Sequence, residues 1–396
     1  MKYFAAAAPC PSYQDEKTLR CAIEKVLAPQ IASYGHLSGS RVLLKPNLLA
    51  YRKEDDLACV HRKFLLESVR SFLDAGAKVT LMENPAVQSA EAVIRAMGLE
   101  EELRRLDVKV ASFRNFAKME GFREELTFHN LEVAREFEDF DAVCDIAKAK
   151  THGMMTLTLC VKNLFGLIRG SDRMAWHLNV GRNFSLFADM LLDIYLTVRP
   201  AFNLVDAIVC MEGNGPGSGT ETSRNFVFGG NDALCVDSFL APLLTGGKKE
   251  LLILENARRR NLLPEYEFIS PPVENFAALE LPPEPGLLCE WGVFLPPGLK
   301  KYLREWVIAR PVVEPSKCIG CGLCAKLCPP QSLKIRNGKA WFDYPECIRC
   351  FCCQEHCPQG AITIRKSFLM DLFSGSEKLI RKGCSLLTPG KRNSGG

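Results

Sequence analysis

The stretch Cys318-Ile319-Gly320-Cys321-Gly322-Leu323-Cys324-Ala325-Lys326-Leu327-Cys328-Pro329 returns, shifted by 29 positions, as Cys347-Ile348-Arg349-Cys350-Phe351-Cys352-Cys353-Gln354-Glu355-His356-Cys357-Pro358. Cysteine spacing, order and the trailing proline all match. Beyond each run, Leu333 and Ile335 map onto Ile362 and Ile364, the alternation of two short strands. Nine of the 18 Cys fall between Cys318 and Cys357, against seven in the first 280 residues. That is a local ligand set, not a scattered disulfide framework.

Iron-sulfur chemistry explains the spacing. Three thiolates at two-residue gaps wrap one corner of a cubane and leave loop amides free to hydrogen-bond its sulfides, so the fourth ligand must come from elsewhere. In the two-cluster arrangement the Cys before each Pro reaches across to the other cluster. Cys318, Cys321, Cys324 and Cys357 are therefore assigned to one 4Fe-4S cluster, and Cys347, Cys350, Cys353 and Cys328 to a second. Zinc competes, because paired Cys-x-x-Cys units also build tetrahedral sites. Zinc, however, needs neither the third Cys of each run nor the repeated Cys-Pro. Cys352 departs from the repeat and reads as a non-ligand, the alternative being that it replaces its neighbour Cys353.

Residues 312–366 resemble the bacterial two-cluster ferredoxin, a small pseudo-twofold α+β domain. The resemblance implies two 4Fe-4S clusters and the transfer of single electrons at low potential.

Upstream, from about residue 262 to 298, prolines become dense in Pro271-Pro272, Pro282-Pro283, Pro285 and Pro296-Pro297, which marks irregular chain between domains. Leu299, Tyr302, Leu303, Trp306 and Val307 then form an apolar stripe opposite Lys300, Lys301, Arg304 and Glu305. A helix seating the small domain on the large one is preferred to one lying on a membrane surface. Beyond Arg365, Leu369, Leu372, Phe373, Leu379 and Ile380 leave a short amphipathic pattern before a polar end expected to be disordered. The predicted partition is an α/β domain at 1–261, a Pro-rich linker with its amphipathic helix at 262–311, the ferredoxin domain at 312–366 and a tail at 367–396.

Up to about residue 245, short apolar runs alternate with helical periodicity, the pattern of an α/β domain. Leu19, Ile23, Val26 and Leu27 share a helical face, as do Leu65, Val69, Phe72 and Leu73 before Gly76. Ser89 can cap a helix carrying Val93, Ile94 and Met97 before Gly98. The strand candidates are Tyr3 to Ala8, Val42 to Leu44, Lys78 to Met82, Val108 to Val110, Ala142 to Ile146, Leu204 to Val209 and Phe226 to Phe228. A mostly parallel sheet with helices on both faces is the simplest packing.

The 396 residues exceed what one core usually fills, which fits a large domain and a smaller satellite. Tyr3 to Ala8 is too short for the apolar region of an export signal, so a cytoplasmic chain with reduced thiols is expected. No run of about 18 apolar residues suggests a spanning helix. With 50 basic against 46 acidic residues, the net charge of +4 predicts no nucleic-acid partner.

The densest polar cluster of the large domain follows the Ala142 to Ile146 strand: Lys148, Lys150, Thr151 and His152, then Lys162 and Asn163. Charged groups past a strand's C-terminal end line the crevice where α/β sheets bind ligands, and Lys with His suits an anion or supplies acid-base groups. A solvated charged loop would read the same way. Lys45-Pro46-Asn47 and Glu83-Asn84-Pro85 also end strands, and the glycine-rich Glu212 to Gly219, with Gly213 and Gly215, can present amides to an anion or simply turn the chain. Among the other histidines, His177 is the second choice for a proton donor, while His36, His61, His129 and His356 read as surface or structural. Cys144, Cys160, Cys210 and Cys235 lie in apolar runs and read as small hydrophobes.

Lys45-Pro46-Asn47-Leu48, Lys150-Thr151-His152, Val161-Lys162-Asn163-Leu164-Phe165-Gly166, Val205-Asp206, Met211 to Pro216 and Val236-Asp237 together resemble a domain of unknown function often fused to a ferredoxin. The likeness runs from about residue 2 to 245 and implies a cytoplasmic iron-sulfur protein of anaerobic metabolism. Three functions follow as expectations. In a redox enzyme, the clusters feed a substrate that Lys150, His152 and Lys162 bind or protonate, beside Lys45, Asn47, Asn163, Gly213 and Gly215. In an electron carrier, the large domain only docks a redox partner protein. In the third, the clusters are structural.

Overall fold

The computed structural model describes residues 2–49, 51, 56–85, 88–119, 126–128, 131–169, 172–173, 176, 183–217, 219–274, 276–282, 310–328, 330–347, 352–355 and 357–365. Cys350, His129, His177, His356, the stripe from Leu299 to Val307 and the tail beyond Arg365 lie outside them. Among the described residues, contacts group 2–282 with Val313–Ile362.

A nine-stranded sheet organises the larger part. Its strands are β1 (Tyr3–Pro9), β2 (Arg41–Pro46), β3 (Lys78–Glu83), β4 (Lys109–Ser112), β7 (Ala142–His152), β8 (Thr156–Thr158), β9 (Phe202–Glu212), β10 (Thr220–Gly230) and β11 (Tyr266–Phe268). Two further short strands, β5 (Phe116–Lys118) and β6 (Glu132–Ala134), pair with each other. The order across the sheet is β11-β1-β10-β9-β7-β2-β3-β4, with β8 folded back on β7. Pairings β1/β11, β9/β7, β7/β2, β2/β3 and β3/β4 are parallel, and β1/β10, β10/β9 and β7/β8 antiparallel. The sheet is thus mixed but mostly parallel, as predicted.

Period-two alternation divides each central strand between two cores. Val42, Leu44, Cys144, Ile146 and Leu204 pack on one face with Leu19 and Ile23 of α1 (Glu16–Tyr34), Phe64 and Val69 of α2 (Arg62–Asp74), Val93 of α3 (Ala90–Ala96) and Leu103 of α4 (Glu100–Arg105). Leu43, Val143, Ala147 and Val205 pack on the other. There they meet Cys160 of α5 (Cys160–Asn163), Phe187 and Leu191 of α6 (Phe184–Val198), Leu240 of α7 (Ala233–Thr245) and Ile253 of α8 (Leu252–Arg259). Helices therefore cover both faces. Asp15 caps α1 and Ser89 caps α3 through their side chains, and Gly76 and Gly98 follow helix ends with positive φ.

Several boundaries differ from expectation: β9 runs on to Glu212, β10 begins at Thr220 and β4 at Lys109, and one further change bears on the site. β7 does not stop at Ile146 but runs to His152, so Lys148, Lys150, Thr151 and His152 lie on the strand and not in a loop after it. Among the described residues no helix is long and apolar enough to cross a membrane.

The cysteine-rich part holds β12 (Arg310–Val313), α9 (Leu323–Lys326), β13 (Leu333–Arg336), β14 (Lys339–Phe342), α10 (Cys352–Glu355) and β15 (Ile362–Arg365). β12 pairs with β15 and β13 with β14. β13 and β15 fall where the repeat placed two short strands. Their core is small: Leu333, Ala340, Phe342, Ala361 and Ile362 surround Cys324, Cys353 and Cys357.

Candidate functional site

The parallel strands run β4-β3-β2-β7-β9, so the chain winds outward from β2 in one direction and then restarts on its other side at β7. In open α/β sheets ligands bind at the carboxyl ends of strands where the winding reverses. Here that point lies between β2 and β7, and both strands end in polar residues.

Alternation sorts those residues onto two faces, and each face has a closed network. On the α5 face, Lys45 is wholly buried with its Nζ 2.5 Å from Glu83 Oε2. Asp145, register partner of Lys45, accepts from Asn163 Nδ2 at 2.8 Å. On the opposite face Lys148 Nζ lies 2.8 Å from Asp206 Oδ2 and 3.0 Å from the Tyr13 hydroxyl, which donates to Asp206 Oδ1 at 2.6 Å. Lys150 Nζ donates to the Ala58 carbonyl at 2.5 Å and to Asn47 Oδ1 at 2.9 Å. Asn47 joins the two faces, because its Nδ2 donates to Asn163 Oδ1 at 2.7 Å. Lys45, Asn47, Lys150 and Asn163, drawn from three separate motifs, thus meet at the switch point.

The sheet is irregular here. Lys148 pairs with Asp206 but Lys150 with Met211, so two residues of β7 are matched by five of β9. Bulges of this kind re-aim side chains at the ends of strands. Gly166 closes the Lys-Asn-Leu-Phe-Gly motif because nothing larger fits: a Cβ there would stand 2.1 Å from Glu83 Oε1.

The remaining candidates are placed differently. His152 is buried, and its Nδ1 accepts the amides of Met154 and Met155, each at 3.1 Å, which fixes the β7–β8 turn. An accepting Nδ1 puts the imidazole proton on Nε2. Lys162 is half-buried on α5 with Nζ 5.4 Å from the Phe165 ring centroid. Gly213 and Gly215 sit in the β9–β10 turn; the Gly213 amide donates to the Glu280 carbonyl at 2.7 Å and the Gly215 amide to the Gly213 carbonyl at 2.9 Å.

Sequence reading passed over several residues that complete the site. A cleft of about 200 Å³ is lined by Tyr13, Tyr51, Asp56, His61, Arg62 and Lys148, among others. The Tyr13 and His61 rings stack at 3.7 Å, and the His61 amide donates to Asp206 Oδ2 at 3.0 Å. Burial and the adjacent Asp206 carboxylate push the Tyr13 phenol up, so it stays a donor. Asp237 on α7 accepts the Cys160 and Val161 amides at 2.9 and 3.1 Å and so holds α5 in place. Burial raises the Cys144 and Cys160 thiols, which behave as core residues.

Asp145 is fully buried and its Oδ2 has no hydrogen-bond partner among the described residues. Burial, opposed by nearby Lys45, pushes this carboxyl up to about 8. The folded chain therefore keeps a proton that an unfolded Asp, near ~4, has released, and stability falls as pH rises from about 4 to about 8. Asp237, pushed up to about 7 by burial, contributes in parallel below its own value. Between pH 7 and 8, where Asp237 has lost most of its proton, Asp145 contributes the larger share of the slope. Asp145→Asn is expected to remove it, a change on the order of 1 kcal/mol per pH unit, read from urea midpoints over a pH series. An unaltered slope would place the proton elsewhere.

In the cysteine-rich part, Cys318, Cys321, Cys324 and Cys357 line one cavity, the last supplied by the second run. Burial and the neighbouring Cys357, Cys321 and Cys318 push the Cys324 thiol up to about 11. The Ala361 amide donates to Cys357 Sγ at 3.2 Å, the kind of bond that stabilises a thiolate. Among the described residues no three His, Cys, Asp or Glu side chains close on a single-ion position. These four thiols and their amide donor fit a cubane. Of the second quartet, Cys347 and Cys353 are buried and Cys328 half-buried, with Cys328 Sγ 3.3 Å from Ser332 Oγ.

Comparison with known proteins agrees with both parts. Residues 310–358 match a 4Fe-4S dicluster domain, so this is an iron-sulfur protein. A thylakoid-associated protein of Synechocystis sp. is 31% identical over 210 residues, 52% of this chain and 63% of that protein, so the chain covers less than two thirds of that relative's length. Among solved structures, the lactate racemase apoprotein of Thermoanaerobacterium thermosaccharolyticum is similar at TM-score 0.40 and 11% identity over 61% of this chain and 57% of that one. A Thermotoga maritima protein is similar at TM-score 0.32 and 14% identity over 50% of each chain. Residues 42–242, just over half of the 396, match the family described as Domain of unknown function (DUF362), and the chain belongs to that family.

Proposed function

We propose that this iron-sulfur protein carries two 4Fe-4S clusters and passes electrons singly to a small anionic molecule bound between β2 and β7. Cys318, Cys321, Cys324 and Cys357 would hold one cluster, and Cys347, Cys350, Cys353 and Cys328 the other, in a domain spanning 312–366 joined by a linker at 262–311 to the α/β domain at 1–261. Each cluster takes up and releases one electron when bound. The observation that carries the reading is the meeting of Lys45, Asn47, Lys150 and Asn163 at the switch point, next to a cleft, in a chain that also holds the duplicated cysteine runs.

Within that site Lys150 and Asn47 orient the anion, and the Lys148–Asp206–Tyr13 triad holds a proton at the phenolic oxygen. The His152 Nε2–H supplies a further donor. Electrons would come from a redox partner protein in the cytoplasm. The apolar side chains of Ile319 and Ile335, 64% and 37% exposed, line the cavity of the first quartet and favour such a contact. They also favour the second reading, an electron carrier whose large domain docks another enzyme.

Anaerobic, reduced protein distinguishes the two. Small carboxylates and phosphate esters bearing a reducible group are added and the cluster absorbance is followed. Reoxidation that Lys150→Met abolishes at unchanged iron content supports catalysis. Carrier function predicts no reoxidation by any small molecule and a Lys150→Met effect confined to partner affinity.

A further inference from the structure

Gln354, between Cys353 and Cys357 in the second run, is wholly buried. Its Nε2 donates to the Asn214 carbonyl at 2.8 Å, across 140 positions of sequence, while its Oε1 has no partner among the described residues. A buried amide costs free energy unless it is bonded, so a glutamine at this position makes sense only through the one bond it forms. Its acceptor belongs to the glycine-rich β9–β10 turn, which is itself fastened to the end of β7. There Gly153 donates to the Gly215 carbonyl at 3.3 Å, and a Cβ on Gly215 would lie 2.0 Å from the Thr151 carbonyl oxygen. Contacts thus run from Cys353 through Gln354, Asn214 and Gly215 to Thr151 and Gly153, the residues flanking His152. The first run makes the opposite use of its surroundings: Cys321 is exposed and Ile319 stands in solvent.

We propose that the glycine-rich turn Glu212 to Gly217 is the electron port of the large domain, and that Gln354 is the positioning residue that seats the second cysteine run upon it. The cluster of Cys347, Cys350, Cys353 and Cys328 is then the inner one, and that of Cys318, Cys321, Cys324 and Cys357 the outer, partner-facing one. The turn thereby has a use that its sequence, neither a P-loop nor a dinucleotide fingerprint, did not suggest. This assignment rests on the reading that both quartets hold clusters.

The test is a potentiometric titration of the full-length, anaerobically purified chain followed by electron paramagnetic resonance. Signals are assigned to the two clusters with Cys321→Ser and Cys353→Ser. Gln354→Met removes the donor at nearly constant volume, and Gly215→Ala displaces the turn from the other side. Both are expected to raise the midpoint potential of the cluster marked by Cys353→Ser, because water reaching it stabilises the more negative reduced state. The cluster marked by Cys321→Ser keeps its potential. Amide exchange across residues 212–217 rises in Gln354→Met, which a role confined to the small domain would not produce. Potentials that stay put, or that shift together, in a chain with about eight irons overturn the port and leave the two-cluster reading intact. Iron well short of that overturns both.

Discussion

Iron-free protein will lose amide protection across residues 313–362 while β2, β3, β7 and β9 remain protected. The cause is the size of the smaller core. Among the described residues, Leu333, Phe342 and Ile362 are the large apolar side chains buried in it; the others are Ala and the cysteines themselves. Below about 70–80 residues a single core seldom supplies more than ~3–5 kcal/mol, and such domains depend on disulfides or metal. Reduced cysteines leave metal, and where the ligands assemble only in the folded state the binding free energy is folding free energy. The nine-stranded sheet has two extensive cores of its own and does not share that dependence. Hydrogen exchange before and after anaerobic chelation measures this directly. Protection retained at 333–336 and 339–342 without iron would show that side-chain packing alone holds the small fold.

Lys45→Met is expected to destabilise the large domain by about 3–5 kcal/mol, the cost of leaving a buried carboxylate without its counter-ion. Lys45 and Glu83 side chains are 0% and 4% exposed, so water cannot replace the missing ammonium. Glu83 would keep one described bond, from the Asn84 amide at 2.8 Å. Exposed pairs in the same chain, such as Arg95–Glu100, are screened by solvent and make a control. Adding Glu83→Gln to Lys45→Met should recover most of the loss, since the uncompensated charge goes with it. Urea denaturation of the single and double variants reads both effects. A single-variant loss below ~1 kcal/mol would mean that solvent reaches Glu83.

The same burial explains what the sequence did and did not disclose. Val42 to Leu44 is legible as a strand because it runs apolar on both faces, and Lys78 to Met82 because turn residues flank it. β7 was cut short because Lys148, Lys150 and His152 look like solvent-seeking residues. In fact they alternate with Ala147, Ala149 and Thr151 in strand period; Lys148 and Lys150 are bonded by groups from other segments, and His152 Nδ1 by amides of the turn that follows. Asp145, Glu83 and Asp206 carried a signal that went unread: a carboxylate inside an apolar strand must have a partner. β8 and β11, three residues each, are too short for any periodicity to show.

Tyr13 carried no signal, and His61 read only as surface or structural. They lie in different loops, and only the adjacency of strand ends brings their rings together. Lys162 shares a polar cluster of the sequence with Lys150, yet its Nζ lies over the Phe165 ring while Lys150 bonds Asn47. The cysteine runs were the opposite case, because their spacing is itself the chemistry.

Cys357→Ser offers the most direct check on the exchange of ligands between the two halves. Anaerobic protein should contain about eight irons and eight sulfides. In the variant, the resonance and potential of the cluster marked by Cys321→Ser should change while those of the cluster marked by Cys353→Ser persist. Disturbance of the Cys353 cluster instead, or a colourless wild-type protein holding zinc, would contradict the account.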